Sequence, residues 1–155
     1  MPSVFFWIQS NREAKNGLSF QAPGVRHCAV GGGFLKEAGF EQHLQDRAVE
    51  FIDLTRDDIV EIETKSGYTA LRSLWLPKAV LEADLVISMP KVKTHHWAGV
   101  TLSMKNMFGV IPGVVYGWPK NVLHWQGIER SILDICSTMR PHFVIADGII
   151  AMEGN

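Results

Sequence analysis

Leu85-Val86-Ile87-Ser88-Met89-Pro90-Lys91-Val92-Lys93-Thr94-His95-His96-Trp97 changes character at its proline. The five residues before Pro90 are almost wholly apolar, the composition of a short strand covered on both faces. Proline has no N–H for a strand ladder and fixes its own φ, so the strand is expected to end there. Beyond it come two lysines one residue apart, a threonine and a histidine pair. A buried strand that opens into a cationic loop is a common ligand position in α/β proteins.

Downstream, Val100 to Phe108 has a helical rhythm, and Gly109 to Pro119 breaks it. Trp125 to Met139 is the clearest helix. Ile128, Ile132, Ile135, Cys136 and Met139 form one stripe, with Arg130, Asp134 and Ser137 expected opposite. Pro141 stops the helix, and Phe143-Val144-Ile145-Ala146 reads as a second buried strand that ends at Asp147-Gly148. Strand, helix, helix, strand implies an α/β fold: layered, with a mainly parallel sheet and flanking helices. If the two buried strands run parallel, their carboxyl ends share one edge. Lys91, Lys93 and His95 then face Asp147 and the loop from Gly148 to Asn155 across a crevice.

Upstream, Val4 to Gln9 is a candidate strand and Ser10 to Gly24 a candidate loop. Val25 to Val30 is weakly strand-like and runs into Gly31-Gly32-Gly33. That turn is followed by helical composition at Phe34–Ala38 and Glu41–Arg47. No G-x-G-x-x-G or P-loop motif accompanies the glycines, so they read as a flexible turn. Val49–Leu54 and Ile59–Glu63 alternate imperfectly around Thr55-Arg56-Asp57-Asp58, as an antiparallel pair at a sheet edge would. Ser73–Leu76 is a short strand, and Pro77 suits the first residue of a helical turn.

A chain of 155 residues is expected to form a single domain over residues 1–155. Its net charge of −1 argues against nucleic acid as a general partner. Local charge is more telling: Leu85 to Ile128 holds no Asp or Glu, where roughly 4.5 acids would be expected from the overall composition. Lys91, Lys93, Lys105 and Lys120 lie inside that window, whereas burial would have excluded lysine as well. Cys28 and Cys136 stand far apart with no metal- or cluster-binding spacing, which suits a reducing compartment. No apolar run approaches the length of a membrane span, so the expected location is the cytoplasm.

The ligand-binding candidates are Lys91, Lys93, Thr94, Lys105, Asn106, Trp118 and Lys120, which could hold an anionic small molecule. Lys91 and Lys93 are expected to point apart and not to grip one phosphate together. His95 and Asp147 are the candidate acid–base residues; His96, His124 and Glu153 are further titratable groups near them. No His-x-x-x-His or carboxylate triplet specifies a metal, so metal binding is left open. Trp97, Tyr116, Trp118 and Trp125 fall close together among lysines and histidines, and such rings either pack a core rim or stack a flat ligand. Tyr116-Gly117-Trp118-Pro119-Lys120-Asn121 is a candidate lid.

The segment Ala83-Asp84-Leu85-Val86-Ile87-Ser88-Met89-Pro90-Lys91-Val92-Lys93-Thr94-His95 resembles the core signature of the domain of unknown function numbered 362. The likeness continues through Gly99–Gly109, Tyr116–Lys120, Leu123-His124-Trp125, Ile128, Ala146-Asp147-Gly148 and Met152–Asn155. It implies an α/β domain common in anaerobic bacteria and archaea, sometimes joined to a ferredoxin-like iron–sulfur module. It names no reaction. This chain has no ferredoxin cysteines, so the resemblance implies that any iron–sulfur cluster sits on a separate ferredoxin-like partner. The family domain continues past the Glu-Gly-Asn element at residues 153–155, so the expectation is an incomplete domain, truncated at its C-terminal end. The glycines between Cys28 and Gly33 also depart from the polar residues of the family pattern.

The leading expectation is a domain that binds an anionic small molecule or cofactor in a Lys/His-lined crevice, as a redox enzyme component beside an iron–sulfur partner. The alternatives are a non-catalytic module for nucleic acid or an acidic partner, and an inactive fragment. Whether the chain is an enzyme, and which cofactor it uses, stay open.

Overall fold

The computed structural model describes residues 4–10, 15–21, 42, 50–117 and 122–154. The Val25–Val30 segment, the glycine run, the helical segment expected at Phe34–Ala38 and all of Glu41–Arg47 except Gln42, which is helical, lie outside the described residues, as do Cys28, Trp118 and Lys120. The fold is α/β. Strands β1 (Val4–Ser10), β2 (Lys15–Gln21), β3 (Glu50–Ile52), β6 (Leu85–Met89) and β9 (Phe143–Val144) form a five-stranded sheet in the order β3-β2-β1-β6-β9. A second sheet has the order β10-β7-β8, from β7 (Lys91–His95), β8 (Gly99–Thr101) and β10 (Asp147–Met152). β4 (Ile59–Glu63) and β5 (Ser73–Pro77) make a separate antiparallel pair.

The apolar run at 85–89 forms β6, with Val86 and Ser88 buried. The second expected strand pairs with it in parallel, Ile87 opposite Phe143 and Ser88 opposite Val144. Both chains then cross into the smaller sheet side by side. Ile145 N–H donates to Ser88 O at 2.9 Å, Asp147 N–H donates to Pro90 O at 2.9 Å, and β10 runs parallel to β7. Buried Pro90 is thus a junction between two strands, and the expected cationic loop is strand β7.

The sheets are mixed, not mainly parallel. Connection length explains the difference, because a parallel pair needs a crossover of a dozen or more residues. Only residues 11–14 separate β1 from β2, and only residues 96–98 separate β7 from β8, so both pairs are antiparallel. β6 and β9 are joined through four helices, α2 (Ser103–Met107), α3 (Gly113–Tyr116), α4 (Val122–Trp125) and α5 (Ile128–Met139), and they are parallel. The expected loop at 10–24 contains β2. Residues 49–54 and 59–63 do not pair: β3 joins β2 in parallel and β4 joins β5. Among the described residues β9 borders a single strand, and Phe143 is 61% exposed where a buried strand was expected.

Helix α1 (Lys78–Leu81) follows Pro77, close to the expected start. The core is built from Leu54, Leu74, Leu76, Val86, Met107 and Val110, against which α5 lays Ile128, Ile132 and Ile135. Gly127, at φ 95°, separates α4 from α5, so the expected single helix is two. Left-handed Arg140 closes α5 before Pro141, its N–H donating to Cys136 O at 2.9 Å. Asp134 does not face solvent; it is 1% exposed and takes hydrogen bonds from the segment at 66–69. No helix among the described residues is long and apolar enough to cross a membrane.

Candidate functional site

Alternate residues of a strand share a face. β7 is regular from Lys91 to His95, so Lys91, Lys93 and His95 lie on one face, contrary to the expectation that the two lysines diverge. Thr94 belongs to the other face and donates its hydroxyl to Gly154 O. Helix α2 is brought against β6 by a buried polar link. Asn106 Nδ2 donates to Ser88 Oγ at 2.9 Å, and Ser88 Oγ donates to Ser103 O at 3.2 Å. Asn106 is therefore 1% exposed behind the site, not on its surface. With α2 held in this way, Lys105 comes near Lys93 although twelve positions separate them in the chain.

Among the described residues the charges at this meeting point are all of one sign. Burial lowers the pKa of Lys105, and Lys93 lowers it further; burial lowers that of Lys93 itself. Among the described residues neither lysine has a carboxylate partner, and the Lys105 ammonium instead stands 4.9 Å from the centre of the Phe108 ring. Burial, followed by Lys105, His96, His124 and Lys93, pulls His95 down to about 4. His95 Nδ1 also accepts the N–H groups of Trp97 and Ala98, each at 3.2 Å. A neutral imidazole that accepts at Nδ1 carries its proton on Nε2. His95 is thus a neutral N–H donor near neutral pH, with the turn at 96–98 pinned to its ring.

Aromatic contacts continue outward from His95. It stacks on His96 at 4.9 Å, His96 meets Trp97 at 5.2 Å, and Trp97 meets His124 edge-on at 5.2 Å. His124 in turn packs edge-on to Phe108 at 5.2 Å, and its pKa is lowered by burial and by Lys105. Trp97, His124, Trp125 and Ile128 line a cleft of about 370 Å³ beside this chain of rings. Phe108 and Ile128 are not among the candidates read from the sequence; the three-residue step from Lys105 to Phe108 is the signal that could have found the first of them.

Asp147 reaches the same sheet edge as Lys91, as the parallel strands require, but it sits beside β7 and not across a crevice from it. Lys91 Nζ donates to Asp147 Oδ2 at 2.7 Å, and Asp147 Oδ1 accepts Ile149 N–H at 3.1 Å. These two donors, with that from Lys91 first, hold its carboxyl below the usual carboxylate range. Lys93 lies opposite Met152. The structure therefore brings together Lys93, His95 and Lys105, pairs Lys91 with Asp147, and places Thr94 and Asn106 in other bonds. Among the described residues no group of three or more His, Cys, Asp or Glu side chains is placed to hold a metal ion. Cys136 is half-buried and donates to Met104 O at 3.4 Å, and burial pushes its thiol up to about 11.

The family model described as Domain of unknown function (DUF362) matches residues 21–155. The chain belongs to that family. It is also similar to the thylakoid-associated protein sll1697 of Synechocystis sp., 32% identical over 109 residues that cover 63% of this chain and 33% of the relative. The chain thus spans about a third of the length of the curated relative it matches. No solved structure matches it.

Proposed function

We propose that this family member binds an anionic small molecule or cofactor on the face of β7 and α2, with Lys93 and Lys105 as the neutralising charges and His95 Nε2–H as a neutral donor. One observation carries this reading: two half-buried ammonium groups meet with no carboxylate partner among the described residues, burial lowering the pKa of both and Lys93 lowering that of Lys105 further. A bound anion would favour the charged form of both lysines and so offset the cost of their mutual repulsion and burial. In the same reading Asp147 holds Lys91 at the border of the site, where the pair can exchange with a ligand carboxylate or phosphate.

Calorimetric titration with inorganic sulfate and phosphate tests this directly. Charge-assisted hydrogen bonds contribute roughly 1.5–3 kcal/mol each. Lys93→Met and Lys105→Met are therefore expected to weaken binding by about tenfold or more. Variants that bind as tightly as the parent chain would remove the proposal. The redox version, in which a separate ferredoxin-like chain carries the cluster, rests on the family resemblance and predicts electron transfer from a reduced ferredoxin to the liganded chain. The cytoplasm is the compartment this reading assumes; the relative's name ties that longer protein to thylakoids.

A further inference from the structure

The cationic face and the aromatic cleft are not separate features. His124 lines the cleft, and its ring touches Trp97 on one side and Phe108 on the other, where the Lys105 ammonium stands 4.9 Å from the ring centre. Lys105 also lowers the pKa of His124, so its charge is felt inside the cleft. On the other flank, Trp97 belongs to the turn whose N–H groups are bound by His95. Each side of the cleft is thus tied to a residue of the anion site.

Three of the four lining residues are aromatic, and the two indoles are left in water: Trp97 is 57% exposed and Trp125 is 70% exposed. Exposed apolar surface costs roughly 25 cal/mol per Å² relative to burial, so a flat apolar body laid there would be favoured. A volume of about 370 Å³ falls in the usual range of small-molecule clefts. Resting on the anion-binding reading above, we infer that the ligand is a planar aromatic anion. Its ring system lies against Trp97, Trp125 and His124, and its charged group lies on Lys93, Lys105 and His95.

The test compares three probes by calorimetry: sodium naphthalene-2-sulfonate, inorganic sulfate as the head alone, and 2-naphthol as the ring alone. Stacking of one flat base on an aromatic side chain is worth roughly 1–3 kcal/mol, so the aromatic sulfonate is expected to bind about tenfold or more tighter than sulfate. It should exceed 2-naphthol by a similar factor. Trp125→Ala is expected to shrink the advantage of the aromatic sulfonate over sulfate, and because its side chain is 70% exposed the variant is expected to keep the parent fold, as circular dichroism would check. Trp97→Ala should act in the same direction, and Lys105→Met should weaken both anions. Sulfate binding with no gain from the naphthalene ring would overturn this inference and leave the anion site standing. Loss of every anion titration would overturn both. A ten-nucleotide single strand that displaces the sulfonate with a steep salt dependence would replace the small molecule with nucleic acid.

Discussion

Asp134→Ala removes the carboxylate on which the segment at residues 66–69 is hung. The side chain is 1% exposed and accepts Ser66 Oγ at 2.8 Å, Tyr68 N–H at 3.1 Å, Thr69 N–H at 2.8 Å and Thr69 Oγ1 at 2.6 Å. The hydroxyls can turn to other acceptors, and Ser66 already meets Ser137. The backbone N–H groups of Tyr68 and Thr69 cannot. Each part-buried donor left unpaired costs at most roughly 1–3 kcal/mol, so the pair costs up to about 2–6 kcal/mol. Alanine recovers roughly 0.7 kcal/mol as the better helix former, which leaves a loss of about 1–5 kcal/mol. At this chain length that lowers Tm by roughly 2–20 °C. The pH dependence supplies a second readout. Burial works to raise the Asp134 pKa, but the donors from Thr69, Ser66 and Tyr68 outweigh it, and the net shift is downward. A depressed carboxyl contributes its stability above the unfolded-state value near 3.8 and loses it as pH falls through the folded-state value. The gap between parent and variant should therefore be full at pH 7 and shrink below about pH 4. Urea titrations at pH 7 and pH 3 would measure it. A variant within about 1 kcal/mol of the parent at pH 7, or a gap that ignores pH, would refute the reasoning.

Two other outcomes follow from the geometry. His95, drawn down to about 4, should titrate far below an ordinary histidine in an NMR series, and its value should rise on adding sulfate and in Lys105→Met. The unfolded chain takes up this proton near pH 6.5 and the folded chain only near 4, so stability should fall as pH drops through that interval. A His95 that titrates near 6.5 and ignores sulfate would contradict the cation cluster. Gly127→Ala forces a side chain onto a backbone at φ 95°, and the parent chain should exceed it by about 1–2 kcal/mol in urea; no loss would mean that α4 and α5 fuse without strain.

Much of the framework is visible in local pattern. The run at 85–89 and the shorter one at 143–146 become strands, and their parallel pairing carries Lys91 and Asp147 to one edge, where they form an ion pair. The stripe of Ile128, Ile132 and Ile135 faces the core as its spacing requires. Local pattern misleads where a distant segment supplies the partner. Asp134 looks like a solvent-facing helix residue until the segment at 66–69 covers it. β2 hides in a polar stretch because its ladder, not its composition, makes it a strand. Pro90 looks like a stop, yet a strand resumes one residue later because the chain changes sheets.

The sequence by itself determined the acid-free, lysine-bearing window from Leu85 to Ile128 and the α/β class, since charge distribution and side-chain period belong to the chain whatever its neighbours do. Only the tertiary structure decided which cations meet. Lys93 and His95 share a face because β7 is extended, and Lys105 joins them because the Ser88–Asn106 link seats α2 on β6. His124 arrives from a third element to connect that charge to the tryptophan cleft. Spacing along the chain is a one-dimensional quantity, whereas a field of like charges depends on distances that only packing between elements sets.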